Sequence, residues 1–374
     1  MPLMNTLSRV WTNVQYTLFP FLEEELGELS STHKSLISIL ELVRIEQHLI
    51  NSSFMWGRPP KDRSFIARAF IAKIVFKITY TKDLVRQLKQ DTQLRRICGW
   101  ESSHAVPSPS KFSRAFKEFA ESSLPDRVHQ TLIKNTYSGD IVGHVSKDST
   151  PVIVREKHLK KARKTGGKST KRYQKLKKGE LNRRQKQLKE TDLNKMISDL
   201  PSACDKGMKK SAQGYTMLWK GYKLHAAVDD HCIPLAVILT SASLNDCEVA
   251  IPLAAKCNKV VTNLYDLMDA AYDHPEIKQH SYSLGHVPVI DKCPTGAVQK
   301  VEKEAEKKRC KILNFKTAEA SRYRERFKTE RFNALFKDYY GGGSIRYRGH
   351  LKVSCEVMFG VLALTGSLLI NLVS

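Results

Sequence analysis

Asp148 follows the apolar run Ile141-Val142-Gly143-His144-Val145, and Asp269 follows a second run from Val260 to Met268. If both runs are strands of one sheet, each aspartate ends its strand and the two carboxylates share a sheet edge. A third acid, Glu330, falls in a helical segment with the spacing Tyr323-x2-Arg326-x3-Glu330-x6-Lys337. At 100° per residue, Arg326, Glu330 and Lys337 lie within about 60° of Tyr323, so one continuous helix carries all four on one face. Phe332, Leu335 and Phe336 take the opposite side and can pack on a sheet. Carboxylates repel phosphate unless a cation lies between them, and Mg²⁺ prefers oxygen ligands, so three such acids in a basic chain point to divalent metal chemistry. Each signal has a plainer counterpart. A single Asp is common at turns, and Glu330 between Arg326 and Lys337 equally reads as a surface salt bridge. Asp266 and Asp273 rank below Asp269 as ligands, and His225 reads as a satisfied strand histidine before a general base.

The elements that must position these acids begin at Gly139, where the texture changes from helical to strand-like. Tyr222 to Val228 and Pro234 to Leu239 are two further strands split by a turn at Asp229-Asp230-His231, and Val287 to Ile290 is another. A helix opens near Asp246. Strands, a helix, another strand and late helices predict an α/β class with a mixed sheet over residues 136–374. Residues 1–135 read as all-helical. Phe65, Ala69, Ala72 and Phe76 recur at helical spacing after the Gly57-Arg58-Pro59-Pro60 turn. Thr81 caps a second helix, Leu94 to Cys98 stops at Gly99, and Ser110 caps a helix with Lys111, Arg114 and Lys117 on its polar side. Short helices with a basic last member fit a helix-turn-helix DNA reader or a small helical bundle.

The formal charge of +24 over 374 residues bears on partners and points to a polyanion. Residues 155–190 hold sixteen Lys and Arg against three Glu, a net +13, inside an insert at about 155–215. Lys160, Lys161, Arg163 and Lys164 are its densest cluster, and the density favours an arm gripping phosphates over a merely solvated run. Eight cysteines without a Cys-x-x-Cys pair offer neither a zinc knuckle nor a disulfide framework. Residues 1–25 lack the pattern of a signal peptide, and a reducing, cytoplasmic, nucleoid-associated setting is expected. The apolar tail Val357 to Val373 is interrupted by Thr365, Ser367 and Asn371, so a buried helix is expected, with no membrane partner.

Tyr323-x2-Arg326-x3-Glu330-x6-Lys337 resembles, without a gap, the signature of a large branch of bacterial insertion-sequence transposases with a DDE active site. Lys220 to Asp229, Leu244-Asn245-Asp246 and Met268 to Asp273 look like the family's neighbouring segments, and the Gly57 region resembles its helical N-terminal domain. Ala270-Ala271 departs from the commonest pattern, in which a basic or polar residue and a glycine are frequent. The resemblance implies a ribonuclease H-like core with Asp148, Asp269 and Glu330 as catalytic, metal-binding triad. It also implies two Mg²⁺ (or Mn²⁺) ions, with Asp148 shared between them. Water then nicks the element end, and the freed 3′-OH attacks target DNA. Arg326 and Lys337 would hold phosphates, and Tyr323 would contact backbone or a displaced base. The expected partner is double-stranded DNA, at element ends and target, bound by a homodimer. A nuclease of the same fold, or an inactive sequence-specific DNA-binding protein, are the competing expectations.

Overall fold

Among the described residues, eight α-helices run ahead of the sheet: α1 (Pro2–Asn13), α2 (Phe19–Leu26), α3 (Ser31–Val43), α4 (Arg63–Val75), α5 (Thr81–Gln90), α6 (Thr92–Cys98), α7 (Pro109–Glu121) and α8 (Leu124–Thr136). The computed structural model describes residues 2–49, 62–157, 181–210, 214–291, 297–343 and 345–374. The expected Gly57-Arg58-Pro59-Pro60 turn lies outside them. Asp62 caps α4 by accepting from the Ser64 amide at 2.8 Å. Gly99 ends α6 as expected, with a left-handed φ of 113°. Two expected caps shift by a residue or two. Thr81 is the first residue of α5 and its hydroxyl meets the Tyr347 hydroxyl instead. Ser108 caps α7, because Pro109 suits the first helical position, which leaves Ser110 inside the helix.

Six strands form one sheet: β1 (Ile141–Ile153), β2 (Asp205–Lys210), β3 (Thr216–Val228), β4 (Pro234–Ser241), β5 (Thr262–Met268) and β6 (Val287–Ile290). β3 lies antiparallel to β1 on one side; on the other it pairs with β2 over its first half and with β4 over its second. β5 runs parallel to β1, and β6 parallel to β5. The β3–β4 turn is set by Asp229, whose carboxylate accepts from the amides of His231 and Ile233. The remaining helices are α9 (Arg183–Lys189), α10 (Leu193–Ser198), α11 (Ala250–Asn258), α12 (Pro275–Ser283), α13 (Ala297–Ile312), α14 (Ala318–Arg324), α15 (Phe327–Tyr339) and α16 (His350–Asn371). The insert at 155–215 therefore contributes α9, α10 and β2.

α16 is apolar around its whole circumference because it is covered on two sides. Phe359, Leu362, Ala363 and Leu369 enter a core shared with α3–α8 and with Val142 and Val145 of β1. Val353, Val357, Val361 and Leu364 enter a second core with Tyr222, Leu224, Phe332 and Phe336. Among the described residues it is the one helix long and apolar enough to cross a membrane, and 78% of its most apolar stretch is buried inside the protein. A buried ion pair between Lys73 of α4 and Glu356 fastens it to the helical body. Gly360 lets it approach the end of α15: a Cβ there would lie 2.3 Å from the Tyr340 carbonyl oxygen. The helix bearing Glu330 is thereby wedged between α16 and the sheet.

Burial also sets an acid limit on stability. His129 of α8 is bonded to the Pro234 carbonyl at 2.9 Å, and burial pushes its pKa down to about 4. A histidine depressed below its unfolded value stabilises the fold above pH ~6.5, and that contribution drains away as pH falls toward 4. The loss is on the order of 3 kcal/mol for this group. His129→Gln should therefore flatten the fall of melting temperature between pH 6.5 and 4.5; an unchanged profile would remove His129 from the account.

Candidate active site

Strand register places the two aspartates together. Ser146 pairs with Leu267 across the parallel β1–β5 ladder, so a step of two residues along both strands reaches Asp148 and Asp269 at one level. Asp148 does not end its strand, as the sequence implied. β1 continues to Ile153 beside β3 after β5 stops at Met268, and on the other side the Ile153 carbonyl accepts from the Ile345 amide at 3.0 Å. With no β5 neighbour beyond Asp148, Pro151 can sit in β1, whose ladder on that side is already finished. Asp269 leaves β5 into a tight turn, and its carboxylate accepts from the Ala271 amide at 2.9 Å.

Both carboxyls are partly buried, and burial pushes their pKa values upward. For Asp148 the neighbouring Asp269 adds to the rise, while Arg326 and Lys209 oppose it. For Asp269 the adjacent charge that adds is Asp246. Asn333 of α15 reaches the Asp148 carboxylate with its amide at 3.4 Å, a long contact that nonetheless sets α15 over β1.

The segment carrying the other candidates is not one helix. α14 ends at Arg324 and α15 begins at Phe327, and between them the amides of Glu325 and Arg326 bond three residues back, to Arg322 and Tyr323. This tightened turn breaks the 100° progression, so Tyr323 does not stand on the same continuous face as Arg326, Glu330 and Lys337. Ser146 of β1 donates to the Glu325 carbonyl at 3.3 Å and helps satisfy it. Phe332 and Phe336 are buried against the sheet and α16 as expected, and Leu335 is partly buried.

Arg326 is where the acids converge. Burial works against its charge, but Tyr323, Asp148, Glu330 and Asp269 outweigh that and raise its pKa. Its guanidinium bonds Glu330 at 2.8 Å, four residues on, and lies 5.8 Å from the Tyr323 ring centre. Glu330 itself is exposed, so the surface ion pair weighed from the sequence is present. Lys337 is half-buried, and burial followed by the Lys209 charge lowers its pKa. Among the described residues, no three His, Cys, Asp or Glu side chains converge tightly enough to hold a metal ion.

The two rival acids are engaged elsewhere. Asp266 is fully buried, ion-paired to Lys147 at 2.8 Å and bonded by Ser281 and Asn263. Asp273 pairs with Lys278 at 2.5 Å. His225 is fully buried with one nitrogen bonded to Thr240 at 2.9 Å, but its second nitrogen has no hydrogen-bond partner among the described residues and stands 3.8 Å from Asp246, so the satisfied strand histidine expected is only half realised. Lys160, Lys161, Arg163 and Lys164 lie outside the described residues. At the described end of the same insert, Arg183 and Arg184 pair with Glu248 and Glu276, so this part of the basic run is neutralised within the protein.

Sequence spacing missed Lys209 and Asp246. Lys209 is an exposed residue of β2, and its charge reaches Asp148, Asp269 and Lys337. No local signal distinguishes it from other lysines of the insert; only the β2–β3 pairing brings it to the site. Lys209→Ala should lower DNA affinity and reduce the slope of log K against log salt by about one. An unchanged slope in a binding titration would mean that it touches no phosphate.

Residues 144–365 match the transposase DDE domain family, and residues 24–118 match a second family described as a transposase domain, DUF772. The chain belongs to the DDE-domain transposases. Its substrate is accordingly DNA, which it cleaves and transfers, in a family that works with divalent metal ions. No curated protein and no solved structure matches the chain.

Proposed function

We propose that this transposase cleaves the ends of its element and joins the freed 3′ ends to target DNA at Asp148, Asp269 and Glu330. The observation that carries the reading is the parallel β1–β5 register, which brings Asp148 of β1 level with Asp269 just past the end of β5, near the Arg326–Glu330 ion pair. The donor set fits Mg²⁺ or Mn²⁺. It consists of hard carboxylate oxygens, and burial raises the pKa of Asp148 and Asp269. Glu330 is exposed and its recorded tie is to Arg326, so it can exchange the guanidinium for a cation. Two bound ions would supply an activated oxygen nucleophile and charge relief at phosphorus and leaving group.

The chain's own residues do the rest. Asn333 orients the Asp148 carboxylate. Arg326 offers a planar fork to a phosphate, held by the Tyr323 ring, while Lys209 and Lys337 supply point charges along the backbone. Cleavage leaves a 3′-OH that attacks target DNA in the same site, with no covalent protein intermediate. The strand order, with β3 antiparallel to both β1 and β4 and with β5 and β6 parallel to β1, supports a ribonuclease H-like core. The Tyr-x2-Arg-x3-Glu-x6-Lys spacing supports the insertion-sequence branch. Helices α1–α8 would form the DNA-binding domain, with Arg114 and Lys117 exposed on α7. Paired-end cutting makes a homodimer on DNA the working form, acting at the nucleoid in the cytoplasm.

The test is strand transfer in Mg²⁺ on DNA carrying the inverted repeats that flank the coding region. Nicked ends joined to target DNA are expected. Nicking without joining would make the protein a nuclease, and binding without nicking an inactive DNA-binding protein.

A further inference from the structure

The β1–β3 ladder covers Gly221 to Val228 of β3, and the Lys220 carbonyl still accepts from the Val154 amide at 3.2 Å. Before that point, Thr216 to Trp219 find a strand partner only in β2 among the described residues, so the two strands leave the sheet as a ribbon. Side chains alternate along it, and residues directly opposite share a face. One face is partly filled: Trp219 lies across Gly207, where a Cβ would come within 2.2 Å of its ring, and its indole N–H donates to the Tyr222 carbonyl at 3.2 Å. The other face is open. There Lys206 stands opposite Lys220, and the next pair outward is Met208 with Leu218. Both lysines are exposed, Met208 is 65% exposed and Leu218 70%.

Folding gives no reason for this face. Like charges directly opposite repel, and an apolar pair in water forfeits its burial. Neither lysine has an ion pair among the described residues, whereas Arg183 and Arg184 of the same insert are neutralised by Glu248 and Glu276. A partner that suits both halves is anionic and presents apolar edges between its charges. Duplex DNA does: its phosphates flank a major groove about 12 Å wide, which admits a two-stranded ribbon and displays thymine methyls among the base edges. A second copy of the chain fits worse, because Lys206 and Lys220 of both copies would meet, and lysines on edge strand β2 oppose strand addition.

We propose that the β2–β3 ribbon enters the major groove of the element's DNA, with Lys206 and Lys220 on phosphates and Met208 and Leu218 against base edges. This rests on the reading that the chain holds the ends of its element, and not on the choice of metal ligands. β3 runs on from the ribbon to Ala226, opposite Asp148, so DNA gripped there is held in fixed relation to the site.

The test is binding of the full chain to a duplex carrying the flanking inverted repeat, in EDTA so that no cutting intervenes. Replacing Lys206 and Lys220 together by Ala should reduce the slope of log K against log salt by nearly two. Dimethyl sulfate then reads the groove, since guanine N7 lies in the major groove and adenine N3 in the minor. The unaltered chain should protect guanines that the joint Met208→Ala, Leu218→Ala variant leaves open, with the rest of the footprint kept. An unchanged salt slope would overturn the proposal, as would an unchanged footprint or a change confined to adenine N3. Normal DNA binding by variants that sediment as smaller species would also overturn it, by making the ribbon a contact between copies. Asp148→Asn should give the unaltered footprint, so failure of the metal-ligand assignment leaves this test standing. If the unaltered chain does not bind the repeat, the reading of its action on those ends fails, and the ribbon's role with it.

Discussion

Asp148→Asn and Asp269→Asn should each abolish cleavage while raising the melting temperature of the metal-free protein. The catalytic loss follows from the proposed ligand role: metal stabilisation of developing charge is worth several kcal/mol, so removing a ligand costs at least about 10³-fold in single-turnover rate. The gain in stability has a separate origin. Burial, with repulsion from Asp269 on Asp148 and from Asp246 on Asp269, makes both ionised carboxylates unfavourable in the fold without a cation, as their upward pKa shifts record. An amide of the same shape removes that charge, and the melting temperature in EDTA should rise by ~1–3 °C. Added Mg²⁺ should stabilise the unaltered protein and leave both variants unmoved. A variant that melts lower in EDTA and still cleaves would return these aspartates to a structural role.

The second large effect falls on the neighbour two strand positions from Met268. Asp266→Asn leaves Lys147 charged, 2% exposed and without its anionic partner. Breaking a buried pair by removing one member typically costs ~3–5 kcal/mol. Chemical denaturation should show a loss of that size, with the folded fraction keeping its cleavage rate. Asp266 and Asp269 therefore separate cleanly, one by stability and the other by chemistry. If Asp266→Asn folded normally but could not cleave, the ligand would have been assigned to the wrong aspartate of β5.

The strands other than β2, the turn at Asp229 and the apolar side of Phe332 and Phe336 were legible in the sequence because each is written in local spacing. The meeting of Asp148 with Asp269 was legible only as a possibility, since it depends on a parallel register between strands more than a hundred residues apart. Continuation of β1 through Ser149-Thr150-Pro151 was hidden because that triplet reads as a turn. It is a strand because β3 supports it through Ile153 after the β5 ladder on the other side has ended. The break at Glu325–Arg326 was hidden for the opposite reason: both residues favour helix, and what interrupts the run is the tertiary fit of α14 and α15 on the sheet. Lys209 carries no local mark at all, and Asp246 was legible only as a helix opening and part of a family-like segment.

The double coverage of α16 also bears on the order in which the protein can be made. Helices α3–α8 cannot complete their core until Phe359, Leu362 and Leu369 arrive. Roughly 200 residues separate α8 from α16, and at ~5–20 residues per second the ribosome needs about ten to forty seconds to supply them. During that interval the first helices emerge with an apolar groove open and Lys73 without Glu356. A message cut short before His350 should thus yield a product that aggregates or is degraded, not a folded DNA-binding fragment competing for the element's ends.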